Sequence, residues 1–105
     1  EVQEFVKEFG YDSVKGMCHI TGGGLYENMS RIIPKDFNIN LSLDLNFPQW
    51  CIYLKQKGNI SHNEMMRVFN CGIGFVLIVN KEVAEKVKKS NYIKMYKIFN
   101  LGTIY

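Results

Sequence analysis

Three consecutive glycines, Gly22 to Gly24, stand where an apolar run gives way to an amphipathic one, in the stretch HITGGGLYENMSRIIP. A glycine has no Cβ, so its backbone can approach a ligand closely and can adopt a positive φ. Successive glycine N–H groups can also converge on an anion. Because a strand is predicted before the glycines and a helix after them, the start of that helix adds further attraction for negative charge. The pattern therefore predicts a phosphate-binding site.

A purely structural explanation of the same glycines stays open. Three glycines also permit a tight turn from strand to helix, or close packing of the backbone, without any ligand. The stretch is not a Walker A loop, which ends in Gly-Lys-Ser/Thr, and it does not match the dinucleotide fingerprint Gly-x-Gly-x-x-Gly. The glycines by themselves thus do not decide between a phosphate site and a turn.

Polar side chains close to the glycines favour the phosphate site. Thr21 offers a hydroxyl, and Asn28 and Arg31 lie three residues apart on the predicted helix, so they share a face and could reach one anion. We therefore include Thr21, Asn28 and Arg31 in the predicted phosphate-binding set. The alternative for Arg31 is an ion pair with Glu27 on the helix surface.

Two further positions complete the candidate site. His19 should point away from Cys18, because neighbouring strand residues face opposite sides; it is either a catalytic group or a hydrogen-bonded structural histidine. A second glycine segment, FNCGIGF, contains Asn70 and Gly72. Asn70 suits recognition of a base or amide but also a helix C-terminus, and Gly72 could let a ligand lie against the strand end or permit a bulge. For Gly74 we favour backbone geometry alone.

Periodicity predicts the elements that position these residues. Three features mark boundaries: Pro34 ends a helix, Pro48 begins one, and Ser61-His-Asn-Glu64 fits a capping box. The predicted helices cover residues 2–9, 25–33, 49–57, 64–70 and 81–89, and the predicted strands cover 14–20, 37–45, 75–79 and the tail 92–105. Alternation of strands and helices predicts an α/β (α+β) fold, a mixed sheet of about four strands with helices packed on it.

Composition restricts the possible partners and surroundings. The chain has 105 residues, 47% apolar residues and a net charge of +3 without a long basic block, so we predict a single domain that binds neither nucleic acid nor membrane. Cys18, Cys51 and Cys71 are too far apart in sequence for a Cys-x-x-Cys motif, so we predict reduced, buried thiols of a cytoplasmic protein and no metal site. The chain opens at Glu1 inside a helical pattern, which is typical of a piece of a longer protein.

Two blocks together resemble a known family. HITGGGLYENMSRIIP and GNISHNEMMRVFNCGIGFVLIV are similar to the C-terminal domain of phosphoribosylformylglycinamidine cyclo-ligase, also called aminoimidazole ribonucleotide synthetase. The matching positions are His19 to Gly24, Glu27, Asn28, Arg31, Pro34, Gly58, Asn59, Glu64, Met65, Arg67, Phe69, Asn70, Gly72 and Gly74. The tail KIFNLGTIY departs from the family's shorter ending, so the register of the last strand is not predicted.

The resemblance implies an activity for the longer protein. The family uses ATP and Mg2+ to close the imidazole ring of formylglycinamidine ribonucleotide, which gives aminoimidazole ribonucleotide in purine biosynthesis, and it acts as a homodimer. The chain would be the truncated C-terminal domain of this two-domain enzyme, inactive without the N-terminal half that binds ATP and Mg2+. The implied roles are substrate or phosphate binding for Thr21, Gly22, Gly23, Gly24, Asn28, Arg31, Asn70 and Gly72, and catalysis for His19.

Two other functions are compatible with the sequence. The chain could be a non-catalytic module of the same fold that binds phosphate or a partner protein. It could also belong to a related ATP-using enzyme, such as selenophosphate synthetase or thiamine monophosphate kinase, although the HITGGG block resembles the cyclo-ligase more closely. As a test of the loop, we expect Gly23→Val to abolish phosphate binding and leave the fold largely intact.

Overall fold

The structure, a computed structural model, describes residues 2–41 and 47–105. Residues 42–46, which include the second half of the strand predicted over 37–45, lie outside the described residues. The helices are α1 (Val2–Phe9), α2 (Gly24–Ser30), α3 (Gln49–Lys57), α4 (His62–Val68), α5 (Lys81–Lys89) and α6 (Tyr92–Met95), with a short 3-10 turn at Tyr11–Ser13. The strands are β1 (Val14–His19), β2 (Ile39–Leu41), β3 (Phe75–Val79) and β4 (Gly102–Ile104).

The strands form two pairs. β1 pairs with β3, and β2 pairs with β4 in an antiparallel register that sets Ile39 opposite Ile104 and Leu41 opposite Gly102. The predicted α+β class is confirmed, but the described residues do not form the one mixed sheet that the sequence predicted. Side-chain alternation along a strand shows which face is buried, and it contains no information on which strand lies beside it.

The chain divides into two compact units. The first comprises residues 2–17 and 77–100, and its core is a cluster of buried apolar side chains on α1, α5 and α6. Phe5 and Tyr92 meet edge to face with ring centroids 5.3 Å apart, and Val83 and Val87 pack beside them. Val83 and Val87 are one helical turn apart, so they present one apolar face of α5, as the sequence pattern predicted.

The second unit comprises residues 18–76 and 101–105, and it holds every residue of the predicted site. Leu25 of α2, Cys51 of α3 and Met65 of α4 are its largest fully enclosed side chains. The capping box at the start of α4 is confirmed on one side, since the Ser61 hydroxyl accepts a hydrogen bond from the Glu64 N–H at 3.2 Å. The Glu64 carboxylate binds Arg67.

The predicted tail strand is corrected in part. Residues Tyr92–Met95 are helical, and the last strand is confined to Gly102–Ile104. Tyr92 and Tyr96 lie four residues apart, which is helical spacing, and their rings are 4.8 Å apart beside the Phe5 cluster. Burial of these rings therefore decides the local structure.

Candidate functional site

Asn28 organises the glycine loop, which we define as Thr21 to Gly24, the segment that leads from β1 to the first residue of α2. Its side chain is 5% exposed, and its amide nitrogen donates hydrogen bonds to three backbone carbonyls: those of Thr21 at 3.2 Å, Gly22 at 3.2 Å and Gly24 at 2.7 Å. The Thr21 hydroxyl donates to the Asn28 Oδ1 at 3.4 Å. One buried carboxamide thus contacts nearly the whole loop.

These bonds fix the direction of the loop's N–H groups. In a trans peptide the carbonyl of one residue and the N–H of the next point to opposite sides, and the described chain contains no cis peptide. Because the carbonyls of Thr21 and Gly22 face Asn28, the N–H groups of Gly22 and Gly23 point away from it. Among the described residues, none accepts a hydrogen bond from either N–H.

The three glycines have different reasons to be glycine. Gly24 has φ +69°, and a Cβ there would overlap the carbonyl oxygen of Met66, so Gly24 is required for α2 to pack on α4. Gly23 has φ +98°, and a Cβ there would overlap the Glu27 carboxylate. Gly22 has no positive φ, and none of the described atoms lies within 4 Å of a Cβ placed on it. The fold therefore explains Gly23 and Gly24 but does not explain Gly22.

This geometry corrects the variant proposed from the sequence. A valine at residue 23 would be strained by its positive φ and by contact with Glu27, so Gly23→Val would disturb the loop itself. A side chain at Gly22 meets no such obstacle. Gly22 is the position where loss of ligand binding can be separated from loss of structure.

Arg31 is paired with Glu27 in this structure. Its Nη2 donates to the Glu27 Oε1 at 2.7 Å, and both side chains are more than half exposed. The ion pair is the alternative that the sequence left open for Arg31, and the Glu27 carboxylate lies next to Gly23. An anion at the glycine loop would therefore meet one acidic and one basic side chain, and it would compete with Glu27 for Arg31.

His19 and Thr21 lie on the exposed side of the chain. Cys18 is buried and His19 is exposed, as strand alternation predicted, and the His19 ring stacks on Phe75 with centroids 6.3 Å apart. Thr21 is exposed and follows the buried Ile20, whose N–H donates to the carbonyl of Gly74 at 3.0 Å. A catalytic role for His19 stays a prediction.

Asn70 and Gly72 belong to a separate turn between α4 and β3. The Asn70 Oδ1 accepts a hydrogen bond from the Gly72 N–H at 3.0 Å. Gly72 has φ +88°, and a Cβ there would come within 2.6 Å of the Pro48 ring. The structure does not bring the Asn70 side chain into the hydrogen bonds of the glycine loop, and substrate binding by Asn70 and Gly72 stays a prediction.

A cleft of about 510 Å³ adjoins the glycine loop. Gly23, Tyr26 and Glu27 line it from the loop and α2, and Ile39 and Leu41 line it from β2. Asn63, Met66 and Arg67 of α4 complete the lining together with Ser30. The cleft thus combines apolar side chains, an exposed aromatic ring and charged groups, which suits a polar ligand with a planar part.

Sequence reasoning did not assign Tyr26 or Arg67 to a site. In the sequence, Arg67 is one of the positions that match the cyclo-ligase family. In the structure, its guanidinium binds both carboxylate oxygens of Glu64, at 2.9 and 3.1 Å. This contact lowers the pKa of the Glu64 carboxyl. The only available signal was the spacing of Glu64 and Arg67 on one helix face, which predicts an ion pair and not a cleft.

The cysteines are buried thiols. Cys18, Cys51 and Cys71 are all free and buried, as predicted. Burial raises the pKa of the Cys71 thiol to about 11 and also raises the pKa of Cys51, so both stay protonated near neutral pH. Among residues 2–41 and 47–105 there is no group of three or more His, Cys, Asp or Glu side chains that could hold a metal ion. In the same residues no helix is long and apolar enough to cross a bilayer.

Comparison with known proteins identifies the family of the chain. The family model described as AIR synthase related protein, C-terminal domain, matches residues 2–100. The chain belongs to this family. The match includes the glycine loop, Asn28 and the second glycine segment, so the blocks that suggested the resemblance lie inside an AIR synthase related C-terminal domain.

The relatives of this domain include enzymes of purine biosynthesis. The chain is 42% identical over 92 residues to a phosphoribosylformylglycinamidine cyclo-ligase of Cupriavidus pinatubonensis, which covers 87% of the chain and 26% of the relative. It is 38% identical over 87 residues to the phosphoribosylformylglycinamidine cyclo-ligase of Alkaliphilus metalliredigens, a match that covers 82% of the chain and 25% of the relative. It is also 49% identical over 77 residues to the trifunctional purine biosynthetic protein adenosine-3 of Gallus gallus, a match that covers 72% of the chain and 8% of the relative. The chain therefore spans about a quarter of the length of these two bacterial relatives.

Proposed function

We propose that this AIR synthase related domain is the substrate-side part of an ATP-dependent cyclo-ligase that converts formylglycinamidine ribonucleotide to aminoimidazole ribonucleotide. The observation that carries the proposal is the family match over residues 2–100 together with relatives named as cyclo-ligases. In the proposal, the whole enzyme acts in the cytoplasm as a homodimer. The 105-residue chain alone is inactive.

The glycine loop supports a phosphate-binding role within this proposal. Two successive N–H groups, on Gly22 and Gly23, point away from the buried side of the loop and have no acceptor among the described residues. Hydrogen bonds from backbone N–H groups to an ionised phosphate are stronger than those between neutral groups. No described atom lies within 4 Å of a Cβ placed on Gly22, so the loop is open at this residue, whereas at Gly23 a phosphate would lie beside the Glu27 carboxylate.

The cleft beside Gly23 would hold the rest of the ribonucleotide. With the phosphate at the glycine loop, the ribose and the formylglycinamidine chain would extend along Tyr26 and the polar side chains of α4. Arg31 would leave Glu27 and neutralise charge on the phosphate, which a guanidinium does without transferring a proton. The domain would thereby fix the substrate so that its formamide oxygen faces the phosphoryl donor.

ATP and Mg2+ would be supplied by the remaining part of the enzyme. In the proposal, the ligands of Mg2+ belong to the N-terminal half of the enzyme. In the proposed reaction, ATP phosphorylates the formamide oxygen, an amidine nitrogen attacks the same carbon, and phosphate leaves as the ring closes. The role of this domain is to bind and orient the ribonucleotide.

An amide NMR titration tests the phosphate site. The chain is titrated with inorganic phosphate, ribose 5-phosphate and formylglycinamidine ribonucleotide, and the backbone shifts are followed. We expect saturable shifts centred on Gly22 and Gly23, with tighter binding of the ribonucleotide than of phosphate. Shifts elsewhere on the domain, with none in the loop, would remove the loop from the site and favour the non-catalytic module.

A chimera tests the reaction. The segment of the Cupriavidus pinatubonensis cyclo-ligase that aligns with this chain is replaced by residues 2–100, and formation of aminoimidazole ribonucleotide is measured. We expect activity that depends on formylglycinamidine ribonucleotide and ATP. A chimera that folds and binds ATP but closes no ring would contradict the proposed reaction, and the unmodified Cupriavidus enzyme is the control.

A further inference from the structure

We infer that Asn28 is a positioning residue, whose buried carboxamide holds the glycine loop so that the Gly22 and Gly23 N–H groups are presented to a ligand. The inference rests on the proposed function for the identity of the ligand, a phosphate group. It differs from the role that the sequence predicted for Asn28, which was direct contact with the anion. In the structure both hydrogens of the Asn28 amide are occupied by carbonyls of its own loop.

The loop needs such a tether because of its composition. Glycine loses more backbone entropy on ordering than any other residue, so three in succession would sample many peptide orientations if nothing held them. Asn28 bonds to the carbonyls on both sides of Gly22, which are those of the Thr21–Gly22 and Gly22–Gly23 peptides. Donors fixed before binding need no reorganisation when the anion arrives.

The chemistry of the tether is specific to a carboxamide. Its NH2 group can donate to several carbonyls, and its oxygen simultaneously accepts the Thr21 hydroxyl. A carboxylate at the same position has only acceptor atoms at neutral pH. It would repel the three carbonyl oxygens and attract N–H groups, so the glycine peptides would turn over and direct their N–H groups towards residue 28.

The variant Asn28→Asp therefore gives a prediction that a purely structural role would not give. We expect the Gly22 and Gly23 amide protons to exchange rapidly with water in the unmodified chain and slowly in Asn28→Asp, because the carboxylate becomes their acceptor. Affinity for inorganic phosphate and for ribose 5-phosphate should fall about hundredfold, since the charge-assisted bonds of two N–H groups are lost. Asn91→Asp is the matched control: it makes the same charge change at an exposed side chain that forms no capping bond.

The measurements are water-exchange NMR, phosphate titration and thermal unfolding of the full 105-residue chain and both variants. If the Gly22 and Gly23 amide protons exchange fast in the unmodified chain and slowly in Asn28→Asp, the inference is supported. If the unmodified chain shows this exchange but binds no phosphate, only the proposed phosphate site is overturned. Equal phosphate affinity in a folded Asn28→Asp chain overturns the inference and leaves the phosphate site in place. If Asn28→Asp does not fold, the inference is tested on the unmodified chain through the Asn28 side-chain amide. Scalar couplings across hydrogen bonds from Asn28 Nδ2 to the loop carbonyls support the inference, and rapid exchange of its NH2 protons overturns it.

Discussion

The two glycine segments of the second unit use an asparagine in opposite ways. At Gly22 to Gly24, the buried Asn28 donates to carbonyls, and the N–H groups of two glycines remain without an acceptor among the described residues. At Gly72 to Gly74, the Asn70 side chain accepts the N–H of Gly72, so the donor that could have met a ligand is used within the turn. Asn28 therefore leaves backbone N–H groups available to a ligand, whereas Asn70 binds a backbone N–H group itself.

The comparison separates glycines that the fold requires from glycines that it does not. Each segment contains one glycine with a positive φ and a close backbone or ring neighbour: Gly24 beside Met66, and Gly72 beside Pro48. Each also contains one glycine, Gly22 or Gly74, that has no positive φ and whose Cβ, if one were added, would have no neighbour within 4 Å in the described part of the chain. Sequence alone treats all of these as glycines at a turn. Their surroundings show which substitutions test structure and which test binding.

The largest effect is expected for Gly24→Ala. The new Cβ would overlap the Met66 carbonyl at a positive φ, so the variant combines overpacking with backbone strain. We expect the free energy of unfolding to fall by about 3 kcal/mol or more. Urea denaturation measures this, with Gly74→Ala as the control that should change stability by less than about 1 kcal/mol. Equal stability of the two variants would remove the distinction between required and unrequired glycines.

The next largest effect is on ligand binding, in Gly22→Val. A Cβ placed on Gly22 meets no described atom within 4 Å, so the fold should accept a side chain here, and we expect the branched valine to hinder approach of an anion to the loop. We expect affinity for ribose 5-phosphate to fall about hundredfold, the loss of two charge-assisted hydrogen bonds, while the unfolding midpoint hardly changes. Isothermal titration calorimetry checks the affinity, and Gly74→Val should bind as the unmodified chain does. If both valine variants bind normally, the donors of the first segment are not the ligand site.

Arg31→Ala is expected to weaken anion binding by about 1 to 3 kcal/mol, if the guanidinium leaves Glu27 for the phosphate. Stability should change by no more than about 0.5 kcal/mol, because the Glu27 ion pair is exposed. Lys88→Ala, which removes an exposed ion pair with Glu85, controls for the lost positive charge. Unchanged phosphate affinity in Arg31→Ala, measured at low salt, would mean that Arg31 serves only its surface ion pair.

The smallest effect is expected for Asn70→Ala. The variant loses one hydrogen bond to the Gly72 N–H, so we expect the free energy of unfolding to fall by about 1 kcal/mol. Binding of inorganic phosphate at the glycine loop should not change. Chemical denaturation and a phosphate titration check both statements. A selective loss of affinity for formylglycinamidine ribonucleotide would assign the Asn70 amide to the substrate, as the sequence predicted.

Much of the local structure could be predicted from the sequence because its signals are local. Pro48 and Gly58 bound α3 where predicted, and the Ser61 capping bond forms at the start of α4. The helix at 92–95 was missed because the aromatic residues there suit a strand equally well. Packing of the Tyr92 and Tyr96 rings against Phe5 and each other decides that segment, and this packing joins residues far apart in the chain.

The position of the candidate site could be predicted from the sequence, but the geometry of its loop could not. The order of strand, glycines and helix predicted a loop with special backbone geometry, and the family match places that loop in an AIR synthase related C-terminal domain. The direction of each peptide in the loop was not predictable, because a glycine peptide can face either way at little cost. The role of Asn28 follows only from the three carbonyls within reach of its amide.

Local signals in the sequence specified α3 between Pro48 and Gly58, the start of α4 at Ser61, the buried thiols and the family, whereas α2 ends at Ser30 and not at Pro34. These properties depend on residue type and short-range spacing, which the linear order contains. The pairing of the strands, the need for glycine beside the Met66 carbonyl at residue 24, and the Gly22 N–H without an acceptor among the described residues follow only from the three-dimensional structure. These properties depend on atoms brought together from distant parts of the chain, and local propensities do not specify such contacts.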